Sequence, residues 1–367
     1  MSRLGFDPVL HKLIERICPG ARLLDVRAFG IDDAEIAGIA TQKTTGYGRP
    51  LRLRAELPTG ETKEFVFHTV KSDAFGHDRR ADRAGQMLLA FDTFSLIPAH
   101  VRAMDVGAIR KDGSELTSLA EHGEFYLVTE YEAGRLYADE LRTLTTQTEV
   151  GSEAQSQAET LARYLANLHQ QKLSDPDRYV RSIRDTVGSG EGIFGMLDGF
   201  SENIPGAPSE LLFEIEGLCL GWRARLKMKH ERLARIHGDF HPFNIVFRSD
   251  GSLVLLDASR GSVGDAADDL AALSVNYIFF ALEHPTRWPK VFRPLWHHFF
   301  QTYLNATGDQ EVLAVLPLFL AWRGLVVTNP KWYPGLPAVA RERVLWFIRN
   351  TLLGHSFDVS QADQLFS

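Results

Sequence analysis

Apolar residues recur at helical spacing near the start of the chain. Phe6, Val9, Leu10, Leu13, Ile14 and Ile17 share one face, which predicts an amphipathic helix over residues 6–18. Between 20 and 70 the period shortens to two: Leu51, Leu53, Ala55 and Leu57 alternate with Arg52, Arg54 and Glu56. Pro58-Thr59-Gly60-Glu61 carries turn chemistry, and Phe65 to Val70 reads as a further strand ending at Lys71. Helical spacing returns from Asp78 to Phe91 through Ala81, Ala84, Met87 and Leu88. Strands are predicted near His100–Met104 and at Phe125-Tyr126-Leu127-Val128, and residues 129–134 read as a connector. From about 155 onward helices dominate, with one exception. Ile245-Val246-Phe247 and Leu253-Leu256 are apolar runs flanking Arg248-Ser249-Asp250-Gly251-Ser252, the pattern of a β-hairpin. Asp265 to Phe280 reads as a helix with acids in its first turn, where they favour the helix dipole. The order implies an α+β chain: a small β-rich part with one main helix (1–128), a hinge (129–134) and a larger helical part (135–367).

The hairpin gives one segment chemical meaning. His237-Gly238-Asp239-Phe240-His241-Pro242-Phe243-Asn244 leads into its first strand, and Asp257 follows its second. The residue before one antiparallel strand lies beside the residue after its partner, and such strands are about 5 Å apart. Asn244 and Asp257 therefore meet at the open end, where an amide oxygen and a carboxylate can share one Mg²⁺. Asp239, on the loop just before, is placed to accept a proton from a hydroxyl; the plain alternative is a turn residue that caps a backbone N–H. His237 and His241 also admit a transition-metal reading, although no Cys or further His-rich motif lies nearby to complete a ligand set. Without a metal, His237 is expected to hydrogen-bond the backbone around Asp257, and His241 its own loop.

His-Gly-Asp-x-His-Pro-x-Asn, then Leu256-Asp257, then Gly264-Asp265-Ala266-Ala267-Asp268-Asp269-Leu270, resembles the aminoglycoside phosphotransferase and choline kinase-like family of small-molecule kinases. The helical segment Leu161–His169 is similar to a family helix that ends in Leu-His, and the recognisable matches run from about Lys71 to Ala271. The resemblance implies a two-lobe, protein-kinase-like fold with ATP and Mg²⁺ as cofactors and a small-molecule hydroxyl as acceptor. Asp239 would be the catalytic base, Asn244 and Asp257 the metal ligands, and Lys71 the lysine on the nucleotide's phosphates, with Asp82 as its partner. Gly46 and Gly48 of Thr44-Thr45-Gly46-Tyr47-Gly48 could cover the phosphates, although a lone Gly-x-Gly is equally an ordinary turn. Glu130 and Tyr131 would offer backbone groups to the adenine. Asp265 and Asp269 read as structural, Asp265 bracing the loop of Asp239. One stretch departs from the family pattern. Ala258-Ser259-Arg260 stands where an aromatic and an acidic residue usually follow the metal aspartate, and this motivates a rival reading, a nucleotide-binding protein without catalysis.

Composition narrows the partners. A net charge of −7 argues against a nucleic-acid surface, and 44% apolar with 24% charged residues is ordinary for a soluble enzyme. Cys18 and Cys219 alone cannot build a disulfide framework, which fits a reducing cytosol. No long apolar run suggests a membrane span, so a cytoplasmic protein is expected. Trp288, Trp322, Trp332 and Tyr333 could form an aromatic cage for a cationic acceptor or equally pack a core.

Overall fold

The computed structural model describes residues 7–28, 50–258 and 260–366. By its packing the chain divides into two units, Met1–Thr129 and Glu130–Ser367.

In the first unit α1 (Asp7–Ile17) precedes an antiparallel sheet of β1 (Arg22–Ala28), β2 (Leu51–Glu56) and β3 (Thr62–Phe67). The alternation read from the sequence turns Leu53 and Ala55 inward, where they meet Leu23 and the Leu10, Leu13 and Ile14 face of α1. Each fully buried Leu of this kind contributes roughly 1.5–3 kcal/mol. Gly60, with φ +82°, makes the turn between β2 and β3, and Leu57 N–H donates to Glu61 O at 2.8 Å across it. α2 (Arg80–Thr93) and the hairpin of β4 (Gly107–Ile109) with β5 (Leu116–Ser118) complete the unit.

Three expectations differ here. The third strand stops at Phe67, which leaves Lys71 exposed in an irregular segment rather than at a strand end. Residues 100–106 form no strand; the pairing begins at Gly107 instead. Phe125 to Val128 also form no strand and are exposed, Leu127 by 88%. Strand propensity is realised only when a neighbouring backbone completes the ladder, and no such partner pairs with this run among the described residues.

The second unit runs β6 (Arg135–Leu136), α3 (Tyr137–Leu144), α4 (Ser152–His169), α5 (Pro176–Gly188), α6 (Ile193–Leu197), α7 (Ser209–Leu226), β7 (Leu233–Arg235), β8 (Ile245–Phe247), β9 (Leu253–Leu255), β10 (Val263–Asp265), α8 (Ala266–Glu283), α9 (Arg293–Thr307), α10 (Val312–Thr328) and α11 (Ala338–Leu353). α8 and α10 are buried on nearly every side and pack against each other. A helix that is apolar all round belongs at the centre of a core.

Two small sheets set the loops. β8 and β9 form the expected hairpin, with Ile245 opposite Leu255 and β6 added beside β8, while β7 and β10 pair antiparallel. The segment 236–244 is thus tied at both ends, to β7 and to β8. The segment 256–262 is tied to β9 and to β10. β6, β7 and β10 are too short to show a period in the sequence. Among the described residues no helix is long and apolar enough to cross a membrane.

Candidate active site

Segment 236–244 is carried from beneath by the first turn of α8. Asp269, fully buried, accepts the His237 N–H at 2.7 Å and the Gly238 N–H at 2.8 Å on its two oxygens. His169, at the end of α4, meets Asp269 Oδ2 through Nε2 at 3.1 Å and the Tyr303 hydroxyl through Nδ1 at 2.9 Å. A carboxylate that accepts backbone N–H groups and an imidazole is a strong anchor for a turn. Asp265 instead caps Ala267 N–H, accepts the Tyr179 hydroxyl at 2.9 Å and pairs with Arg232 at 3.0 Å. The bracing expected of Asp265 therefore falls to Asp269, one helical turn further on.

Gly238 holds φ +84°, and a Cβ there would lie 2.6 Å from Gly261 O. Only glycine allows both the left-handed turn and that close approach. Phe240, fully buried and stacked on Tyr164 with centroids 5.9 Å apart, pins the far side of the loop into the core. His237 Nδ1 accepts the Asp239 N–H at 3.3 Å, so His237 serves its own loop rather than the backbone around Asp257. His241 caps Phe243 N–H at 3.2 Å, and its Nε2 lies 3.4 Å from Asp239 Oδ2.

The structure brings Asp239, Asn244 and Asp257 together. Asn244 Nδ2 lies 3.1 Å from Asp239 O, 3.5 Å from Asp239 Oδ2 and 3.5 Å from Asp257 O. No hydrogen bond reaches its Oδ1 among the described residues. The Leu256 N–H donates to Asn244 O at 2.9 Å and closes the hairpin's open end. Asp257 follows with φ +43°, a left-handed conformation that costs a non-glycine residue on the order of 1–3 kcal/mol and concentrates at ligand sites. Its side chain is exposed, and that of Asn244 is buried. Among the described residues no three His, Cys, Asp or Glu side chains are grouped to hold a metal by themselves.

The sequence reading missed the group that holds Asp239. Arg323, from α10, donates through Nη1 to Asp239 Oδ1 at 2.7 Å and through Nη2 to Gly238 O at 3.0 Å. It also reaches Asp268 Oδ1, from Nη2 at 2.6 Å and from Nε at 3.2 Å. A signal was present: Arg323 is the single charged residue of Val312–Thr328, and a charge inside an apolar helix has to be paired.

Burial pushes the Asp239 carboxyl up, but His241 and the Arg323 and Arg260 guanidiniums outweigh it and hold the group well below the usual carboxylate range. Burial also pushes Asp268 up; Arg323 pulls it back and Asp269 pushes it again, so that Asp268 titrates at about 6. A carboxyl that is a weaker acid folded than unfolded stabilises the fold fully below its unfolded value, and that stability is lost as pH rises through the folded value. Asp268→Asn cannot ionise, so it is expected to flatten the fall in unfolding free energy between pH 4 and pH 6. Urea unfolding at the two pH values measures this, and an unchanged slope contradicts it.

The aromatic residues do not form a cage. Arg323 and Arg260 lie over the Trp322 ring, 4.0 and 4.7 Å from its centroid, and the indole N–H donates to Glu191 O at 2.8 Å. Trp288 stacks on Phe366 in the core, Tyr333 packs on Phe279, and Trp332 is exposed. Core packing and protein cations use these faces.

The other expected nucleotide residues are placed as follows. Gly46 and Gly48 lie outside the described residues. Lys71 and Asp82 belong to the first unit, and no ion pair joins them among the described residues; Asp82 accepts the Arg79 N–H at 2.9 Å at the start of α2. Glu130 and Tyr131 open the second unit, both exposed.

Comparison with known proteins adds to this geometry. No curated protein matches the chain. Among solved structures it is similar to an ethanolamine kinase of Plasmodium vivax, at 11% identity over 94% of this chain and 80% of that one, with TM-score 0.33. It is similar to the choline kinase LicA of Streptococcus pneumoniae, at 13% identity over 99% and 96%, with TM-score 0.27. A thermostable mutant of aminoglycoside phosphotransferase APH(4)-Ia matches at 12% identity over 94% and 99%, with TM-score 0.38. The model of the phosphotransferase enzyme family, APH, matches residues 69–310, about two thirds of the chain, and takes in the whole loop and hairpin. The chain belongs to the phosphotransferase enzyme family.

Proposed function

We propose that the chain is an ATP- and Mg²⁺-dependent phosphotransferase that moves the terminal phosphate to a hydroxyl of a small molecule. The observation that carries this reading is the convergence of Asp239, Asn244 and Asp257 on one hairpin mouth. Asn244 and Asp257 suit Mg²⁺. Each offers oxygen, and two protein ligands leave room for the waters and phosphates that this ion retains. When bound, Mg²⁺ neutralises charge on the phosphates.

Asp239 orients the acceptor hydroxyl and takes its proton. Its ionised carboxylate is a weak base, so orientation is the larger part of its role, as suits a loose transition state with little bond formation to the nucleophile. Asn244 spaces Asp239 from Asp257 through its Nδ2 contacts. By the family resemblance, Lys71 with Asp82 serves the nucleotide's phosphates, Gly46 and Gly48 cover them, and Glu130 and Tyr131 meet the adenine. Transfer is direct, since no activated nucleophile stands beside Asp239 among the described residues. Two cysteines without a disulfide suit a cytoplasmic setting.

Labelled ATP with a metabolite extract, scored by mass for new phosphate esters, tests the activity. The acceptor panel includes amino alcohols, sugars, amino sugars and aminoglycosides, with proteins as the contrast. Asp257→Ala is expected to lose the Mg²⁺-dependent part of the thermal stabilisation given by ATP. Stabilisation equal to that of the parent chain counts against the ligand assignment. A wild-type chain that binds ATP yet transfers nothing across the whole panel supports the rival, binding-only reading.

A further inference from the structure

Arg323 and Arg260 approach the same carboxylate in different ways. Arg323 is hydrogen-bonded through three of its nitrogens. Arg260 Nη1 is buried and has no hydrogen-bond partner, and no hydrogen bond to the rest of its side chain is made among the described residues. Its acidic neighbours stand at ion-pair range only: Glu191 Oε2 at 3.6 Å and Asp239 Oδ1 at 3.9 Å, both from Nε. Glu191 is mostly exposed, so water screens it. The guanidinium is nonetheless held in place over the Trp322 ring.

A buried guanidinium N–H left without its hydrogen bond is costly, and in a native structure such a group calls for a reason, of which a functional role or a bound ion is one. Burial first, and then the Arg323 charge, make the cationic form less comfortable than Asp239 can offset. An arriving oxyanion would reverse both effects, and the planar guanidinium is shaped to bind one through paired N–H donors.

We propose that Arg260 is an oxyanion-binding residue beside Asp239, its free donors completed by a phosphate or carboxylate oxygen during the reaction. The departure Ala258-Ser259-Arg260 is then a device of this chain rather than damage to its metal loop. Because Arg323 and Arg260 occupy the Trp322 face, the same geometry disfavours an ammonium at that point. The oxyanion has two sources: the phosphoryl group in transfer, or an acidic group on the acceptor. Assigning the source rests on the proposed phosphotransferase reading; the anion site itself does not.

The first test is calorimetric titration of the full chain with inorganic phosphate, without Mg²⁺. Arg260→Gln is expected to weaken phosphate binding by roughly tenfold or more, and Arg260→Lys, which keeps charge but not the fork, by less. Melting curves of both variants check that the fold persists. Equal phosphate affinity in the parent chain and in a folded Arg260→Gln overturns the proposal. This result is independent of catalysis, so failure of the activity reading is seen separately, as absence of any ATP turnover. Kinetics then assign the source. A tenfold or greater fall in acceptor-independent ATP hydrolysis in Arg260→Gln marks the transferred phosphoryl group. A comparable rise in KM for an acidic acceptor such as glycerate, but not for glycerol, marks the acceptor.

Discussion

Asp239→Asn is expected to slow transfer from labelled ATP in single turnover by roughly 10²–10⁴-fold. Asparagine keeps the shape of the side chain but cannot take a proton, and it holds a hydroxyl less firmly than an anion does. The fold is expected to persist, because Asp268 still pairs with Arg323 at 2.6 Å in the variant. A melting temperature near that of the parent chain with a collapsed rate would locate the loss in the chemistry. Equal rates in the two proteins across a broad acceptor panel would remove Asp239 from the mechanism.

The second large effect belongs to Arg323. Its removal leaves two carboxylates, Asp239 and Asp268, facing a buried space without their shared cation. Breaking a buried ion pair from one side costs roughly 3–5 kcal/mol, because the abandoned charge stays buried. Arg323→Met is expected to lose stability on that scale by urea unfolding. Arg323→Lys keeps the charge, but one ammonium cannot reach Asp239, Asp268 and the Gly238 carbonyl together, so an intermediate loss with a reduced rate is expected. Combining Arg323→Met with Asp268→Asn should recover part of the stability, since one of the stranded charges is gone. A loss below about 1 kcal/mol in Arg323→Met, the scale of an exposed pair, contradicts the assignment.

These two residues show what the sequence made legible. Asp239, Asn244 and Asp257 were readable because their geometry is local: a hairpin with turn residues at its tip forces the flanking positions together. The helical character of the chain from about residue 155 onward and the α+β order were readable from the pattern along the chain, whereas the helix Tyr137–Leu144 was not. Arg323 was harder, since it reaches Asp239 from a helix 84 residues away and the all-apolar run around it shows no period. The aromatic residues misled for a related reason. Trp322 is indistinguishable in sequence from a cage wall, and only the fold reveals that Arg260 and Arg323 already cover its ring. Asp265 caps the helix whose first turn holds Asp269, and the two side chains are alike, so their jobs follow from which one faces the loop. In the first unit Phe125–Val128 had the composition of a strand, but a strand also needs a partner backbone, which no local pattern supplies.

The most direct test is a crystal structure of the chain with Mg²⁺ and a non-hydrolysable ATP analogue. Asn244 Oδ1 and the Asp257 carboxylate are expected within about 2.0–2.1 Å of the metal, with the Asp239 carboxylate facing the terminal phosphate. A metal held by other side chains, with Asp239 turned away from that phosphate, contradicts the central claim.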